Sequence, residues 1–179
     1  MRILGRRRRL RGLIADRRGV AAIEFALIAS TLIFALLNTF DFARFFYEKM
    51  EVENVTQEAA QAAWKTCAPP QLPATTNCAG LNAAITASIQ SSSLGGAIAL
   101  AAGSPAEGYY CINGAGALVY VSAVASKPAN CASVGNASGT PGDYITIQTT
   151  FTYAPIFGGM SLASTLPTPI TDTALMRLQ

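Results

Sequence analysis

One acidic residue, Glu24, lies inside an otherwise apolar stretch, five residues after Gly19. From Val20 to Phe40 the chain carries no other charged side chain. An ionised carboxylate in hydrocarbon is costly unless it is paired, so an acid there suggests a function. A free amino terminus, made by cutting the chain after Gly19, would be such a partner, because charge-assisted hydrogen bonds are strong. Cleavage between Gly19 and Val20 would thus supply a partner for Glu24, and we expect an ion pair there.

The charge distribution separates a leader from the rest of the chain. Residues 1–19 hold eight Arg and one Asp, a net charge of +7, whereas residues 20–179 carry a net charge of −4. A basic flank keeps its end of a span in the cytoplasm. The twenty-one residues that follow would reach roughly 31 Å as a helix, enough to cross a bilayer. We therefore expect a cytoplasmic N-terminus, an exported remainder and no nucleic-acid partner.

Two simpler interpretations compete with cleavage after Gly19. An ordinary signal peptide has a shorter apolar region followed by a small-residue cleavage site, and no such site follows Phe40. An uncleaved single-span anchor explains the apolar stretch equally well, but it gives no reason for the spacing of Gly19 and Glu24.

The helical pattern continues well beyond the length of a bilayer. No Pro or Gly occurs between Val20 and Cys67, and residues 47–65 are rich in helix formers. Apolar residues recur at helical spacing there, and the stripe predicted to pack on a globular domain contains Val52, Val55, Ala59, Ala62 and Trp64. We expect four segments: a leader (1–19), a transmembrane helical part (20–46), an exported amphipathic part (47–66) and an exported domain (67–179).

The residues after the span resemble those of a known family. Asp41-Phe42-Ala43-Arg44, followed by Tyr47 and a helix through 52–60, is similar to the TadE-like pseudopilins of tight-adherence (Tad) pili. In that family an acid-Phe-Gly-Arg motif ends the span, so Ala43 replaces a Gly here. The site around Gly19 likewise resembles that of type IV prepilins, which a membrane peptidase cuts after Gly.

The exported part contains all four cysteines. Cys67, Cys78, Cys111 and Cys131 lie on the side that we expect to be oxidising, so they predict disulfides. Three connectivities are possible; Cys67–Cys78 and Cys111–Cys131, which close short loops, are the preferred pairs. The chain has no His and no close pair of acids after residue 66. We therefore predict no catalytic site, no metal site, no cofactor and no enzymatic activity.

Alternating patterns after residue 80 predict a small sheet. Residues 117–124, 144–153 and 171–178 are the predicted strands, separated by Gly- and Pro-rich turns. Residues 81–89 have the spacing of a helix, and Ser104 to Glu107 is similar to a capping box that starts a short helix. The predicted fold class is α+β: a long N-terminal pilin-type helix with a small antiparallel sheet packed on its C-terminal half.

The resemblance implies a minor pilin that primes or caps a Tad-type pilus and supports surface attachment. Its implied partners are a prepilin peptidase, other pilin subunits, the inner-membrane assembly platform and, before assembly, membrane lipid. The implied location is the inner membrane, with a periplasmic C-terminal domain, and then the extracellular pilus. Two alternatives remain open: an uncleaved anchor that carries a periplasmic interaction domain, and an adhesive tip subunit that binds a surface ligand.

Overall fold

The computed structural model describes residues 18–179. The helices of four residues or more are α1 (Arg18–Thr66), α2 (Ala74–Asn77) and α3 (Leu81–Gln90), and the strands are β1 (Ile98–Leu100), β2 (Ala106–Ile112), β3 (Leu118–Ala123), β4 (Gly142–Phe151) and β5 (Ile170–Arg177). Short 3₁₀ turns lie between them. The predicted α+β class, with one long helix and a small antiparallel sheet, is confirmed.

Helix α1 ends where its sequence predicts, at residue 66. It runs without interruption from Arg18 to Thr66, because no Pro breaks its hydrogen bonds and its only Gly is its second residue. It stops just before Pro69, where a 3₁₀ turn begins. By length and composition it is apolar enough to cross a membrane. The predicted divisions at residues 19, 46 and 66 stay predictions.

The chain forms two compact units. In the described residues, the helix unit comprises 18–43 with Pro155–Ser164, and the sheet unit comprises Arg44–Ala154 with Thr165–Gln179. The sheet unit holds every strand, both disulfides and the C-terminal part of α1. The helix unit contains the apolar part of α1 and a loop that precedes β5.

Strand β4 is the centre of an entirely antiparallel sheet. One edge of β4 pairs with β5 along Tyr144–Phe151. The other edge pairs with β2 over residues 142–146 and with β1 over residues 149–151. Strand β3 extends the sheet beyond β2. Because one strand contacts three others, the sheet has a single continuous inner face for a helix to cover.

The inner face of β4 alternates as its sequence predicts and packs on α1. Ile145, Ile147, Thr149 and Phe151 are buried. The hydroxyl groups of Thr56 on α1 and Thr149 lie 2.5 Å apart and form a fully buried hydrogen bond. The other buried side chains of this part of α1 are Val52, Val55, Ala59, Ala60 and Ala63.

Trp64 was wrongly predicted to belong to this buried stripe. It is 54% exposed, and Ala62 is only partly buried, whereas Ala63 is fully buried. Successive helical residues are separated by about 100°, so Trp64 points about 120° away from Val52, while Ala63 points within about 20° of it. The stripe therefore continues through Ala63 to Cys67 instead of turning to the tryptophan.

The predicted start of a helix at Ser104 is also wrong, because β2 occupies Ala106–Ile112. Glu107 makes no cap for its own segment. Its carboxylate accepts hydrogen bonds from the N–H groups of Ala74 and Thr75, both at 2.7 Å, at the start of α2. The acid that resembles part of a local capping box thus stabilises a helix that is distant in sequence.

Candidate functional site

Gly19, Val20 and Glu24, the predicted cleavage and assembly residues, lie on the first two turns of α1. All three are exposed, and Val20 retains 56% of its accessible surface. A Cβ added at Gly19 would meet no described atom within 4 Å. The packing of residues 18–179 therefore does not require glycine at this position, and a helix would be more stable with alanine there. A requirement for Gly19 would therefore have to come from outside residues 18–179.

Glu24 stands alone among apolar neighbours. Ile23 is 64% exposed and Phe25 is 72% exposed. Within the part of the chain that the structure describes, Glu24 makes no hydrogen bond and no ion pair. An acid on an apolar helical surface is costly in lipid until it finds a cation. The geometry leaves the Glu24 carboxylate accessible to a group from another molecule.

A second polar pair on α1, Asn38 and Asp41, fixes the loop of the helix unit. Both side chains are buried, and Asp41 is fully so. Asp41 accepts hydrogen bonds from the backbone N–H groups of Ile156 (3.1 Å) and Phe157 (3.2 Å), one to each carboxylate oxygen. Asn38 accepts one from the N–H of Leu162 (2.7 Å). We call Asn38 and Asp41 the loop clamp.

The sequence identified Asp41 only through its motif and missed Asn38. The two residues are three positions apart, which places them on one face of a helix. Two polar residues at that spacing near the end of an apolar stretch are a signal for a buried polar contact. Their partners follow more than a hundred residues later, so no local pattern could have identified them.

Arg44, the basic residue of the same motif, acts within the sheet unit. Its Nε donates to Oε1 of the buried Glu48 at 2.7 Å, and another guanidinium N–H donates to the carbonyl of Ala154 at 3.3 Å. Its guanidinium carbon also lies 5.9 Å from the ring centre of Tyr153. Phe45 packs edge-to-face on the same tyrosine at 5.1 Å. These contacts join α1 to the segment that leaves β4.

The cysteines are paired in the structure in the preferred connectivity. Cys67 is bonded to Cys78 and Cys111 to Cys131, with Cα–Cα distances of 5.7 and 5.6 Å. The first disulfide joins the end of α1 to the segment before α3. The second joins β2 to the loop before β4. Closing loops of this size stabilises a fold by roughly 3 kcal/mol each in the chain-entropy model.

An acidic pair lies at one end of the sheet's inner face. Asp143 is 5% exposed, and its Oδ1 has no hydrogen-bond partner in the described residues. Burial raises the pKa of the Asp143 carboxyl to about 6, and Glu107 adds to the shift through its charge and a hydrogen bond, while Lys127 opposes it. Burial, and then Asp143 and Glu107, also raise the pKa of the neighbouring Tyr109.

Residues 18–179 contain no cluster of three or more metal-ligating side chains. The absence of a metal site, a cofactor and enzymatic activity stays a prediction from the sequence.

Comparison with known proteins gives one match, at the N-terminal end. The family model described as TadE, TadE-like protein, matches residues 19–61. No curated protein and no solved structure matches the chain. The match begins at Gly19 and contains Glu24, the loop clamp and Arg44. The resemblance to TadE-like proteins that the sequence predicted is therefore confirmed for this segment.

Proposed function

We propose that this chain is a minor pilin or pseudopilin that is cut after Gly19 and takes part in priming or capping a Tad-type pilus, which supports surface attachment. The observation that carries the proposal is the TadE-like match over residues 19–61. It starts at the glycine where the sequence predicts cleavage and includes the acid five residues later. Residues 1–18, which precede the match, hold eight of the chain's basic side chains, counting Arg18.

The exposed helix surface supports a packing role. The side chains of Phe25, Leu27 and Ile28 retain 64–72% of their surface, and lipid or other helices would cover such a surface. In a bundle, the Val20 amine of one mature subunit would pair with Glu24 of its neighbour. That pairing satisfies the carboxylate in a low dielectric, where a charge-assisted bond is strongest.

The sheet unit supports an exported location. Two disulfides suit an oxidising compartment, and the basic leader favours a cytoplasmic N-terminus. The proposed route is insertion in the inner membrane with the sheet unit in the periplasm, cleavage by a prepilin peptidase, and transfer to the extracellular pilus. The proposed partners are that peptidase, the assembly platform, other pilin subunits and membrane lipid before assembly.

Incorporation of a Glu24→Ala variant into pili tests this function. We expect the variant to insert in the membrane and to form both disulfides, because Glu24 lies outside the sheet unit, and yet to be absent from sheared filaments. Ser30→Ala is the matched control: its exposed hydroxyl bonds only to the Leu27 carbonyl of its own helix, so this variant should enter filaments normally. Glu24→Ala subunits in filaments at the wild-type level would contradict the proposal.

A further inference from the structure

The loop of the helix unit, Pro155–Ser164, presents apolar side chains to its surroundings. Ile156 is 54% exposed, Met160 59% and Leu162 56%. The loop contains no charged residue. Phe157 packs edge-to-face on Phe40 of α1, with ring centres 6.4 Å apart, and Phe40 itself is 58% exposed. Such a continuous apolar surface, formed by a loop and a helix together, marks an interaction site.

The loop clamp fixes this surface at a defined height along the helix. Asn38 binds the loop at Leu162 and, through a 3.4 Å bond, at the Met160 carbonyl. Asp41 binds it at Ile156 and Phe157. The apolar stretch of α1 begins at Val20 and reaches roughly 31 Å by residue 40. The clamp therefore holds the loop where a membrane-spanning helix would leave the hydrocarbon.

Seven of the loop's nine backbone N–H groups are satisfied within the protein, as a region of low water content favours; those of Gly158 and Gly159 have no acceptor in the described residues. The N–H groups of residues 156, 157 and 160–164 all donate to protein acceptors. Four of these hydrogen bonds are accepted within the loop itself: two by the Phe157 carbonyl and one each by the Ser161 hydroxyl and carbonyl. Irregular backbone is tolerated near hydrocarbon only when its polar groups are satisfied in this way.

We propose that residues 155–164 are a membrane-interface anchor, in which Ile156, Phe157, Met160 and Leu162 insert among the headgroups and upper acyl chains of the leaflet on the sheet-unit side. Lipid fits better than a folded partner because the surface continues the apolar surface of the candidate span, at the depth where that span ends. The inference rests on the membrane-inserted form of the proposed function, but it requires neither cleavage nor pilus assembly.

Depth-dependent fluorescence quenching in nanodiscs tests the anchor. The full chain carries Met160→Cys labelled with an environment-sensitive dye, and it is reconstituted at one copy per disc of phosphatidylcholine and phosphatidylglycerol. All four native cysteines are in disulfides, so only the new thiol reacts. Ile156→Cys provides a second position. The matched control is Ile112→Cys, which is equally apolar and equally exposed, at 54%, but lies on β2 in the sheet unit.

We expect a lipid with a spin label near the headgroup end of its acyl chain to quench the dye at residues 160 and 156 several-fold more than at residue 112. Iodide in the water should quench the dye at residue 112 more strongly. Equal iodide access at all three positions, without lipid quenching, would overturn the anchor. Protection from iodide that arises only in discs holding two copies, again without lipid quenching, would assign the surface to a second copy of the chain and would also overturn it. Neither result depends on whether the chain is cut after Gly19.

Discussion

Removing the Asp41 carboxylate should release the loop 155–164 while leaving the sheet unit folded. The carboxylate is fully buried and accepts hydrogen bonds from the N–H groups of Ile156 and Phe157, at 3.1 and 3.2 Å. A hydrogen bond to a charged group contributes about 1.5–3 kcal/mol. Because the two bonds share one acceptor group, their contributions are not additive. We therefore expect Asp41→Ala to lower the free energy of local opening by about 3 kcal/mol.

Backbone hydrogen exchange measures this opening directly. A loss of about 3 kcal/mol accelerates exchange at Ile156 and Phe157 by about 100-fold, since each 1.4 kcal/mol is a factor of ten. Asp41→Asn keeps one acceptor oxygen and should give an intermediate rate. Glu53→Ala is the control, because its ion pair with Lys49 is exposed and 3.7 Å long and contributes little. Unchanged exchange at both amides in Asp41→Ala would refute the role assigned to the clamp.

Two further predictions concern the sheet unit. Val55→Asp should unfold the sheet unit, because it places an unpaired charge between α1 and the sheet, where Val55 is buried. The measurement is thermal unfolding, which should lose its cooperative transition. The control Glu58→Ala, on the exposed face of α1, should melt like the wild type. Because the pKa of Asp143 is raised to about 6, the folded state binds more protons than the unfolded one between about pH 4 and 6. Stability should therefore fall as the pH rises through that window. A pKa difference of about two units corresponds to roughly 3 kcal/mol, which screening by solvent reduces to roughly 2 kcal/mol. Asp143→Asn should remove this fall and melt higher at pH 7, and an unchanged pH profile in Asp143→Asn would refute the assignment.

Patterns that extend over many residues correctly predicted helix α1 and the inner face of β4. A run without Pro or internal Gly predicted the unbroken helix α1 and its end at Thr66. Strict alternation from Ile145 to Phe151 predicted the inner face of β4. Short loops between cysteines favoured the observed disulfides. In each case the interactions that determine the structure are local in sequence, or the hydrophobic pattern repeats over enough residues to be recognised.

Strand β2 could not be predicted because its pattern is broken. The adjacent residues Gly108 and Tyr109 are both buried, and the β2–β3 register shifts between Tyr109 and Tyr110 because Val121 of β3 has no partner on β2. Glycine weakens a strand signal, yet Gly108 has little space for a side chain: a Cβ would lie 2.6 Å from the ring of Tyr120, which would have to shift, and 3.0 Å from the carbonyl oxygen of Ser122. Residues 106–112 therefore form a strand because they pair with β4, and not because of their local β-propensity.

Some residues of the candidate site could be predicted from the sequence and others could not. Gly19 and Glu24 could be proposed from the sequence because their spacing and the apolar stretch around Glu24 are local. The loop clamp could not, because Asn38 and Asp41 bind backbone groups of a loop more than a hundred residues later. Its contacts with the loop form only when the chain has folded.

The mass of the mature N-terminus tests the central claim most directly. The protein is isolated from cells that contain an active prepilin peptidase, and its N-terminal peptide is identified by mass spectrometry, with Gly19→Leu as the variant that the peptidase should not cut. We expect a wild-type chain that begins at Val20 and a Gly19→Leu chain that keeps residues 1–19. A wild-type chain that still carries residues 1–19 would contradict it and would favour an uncleaved membrane anchor.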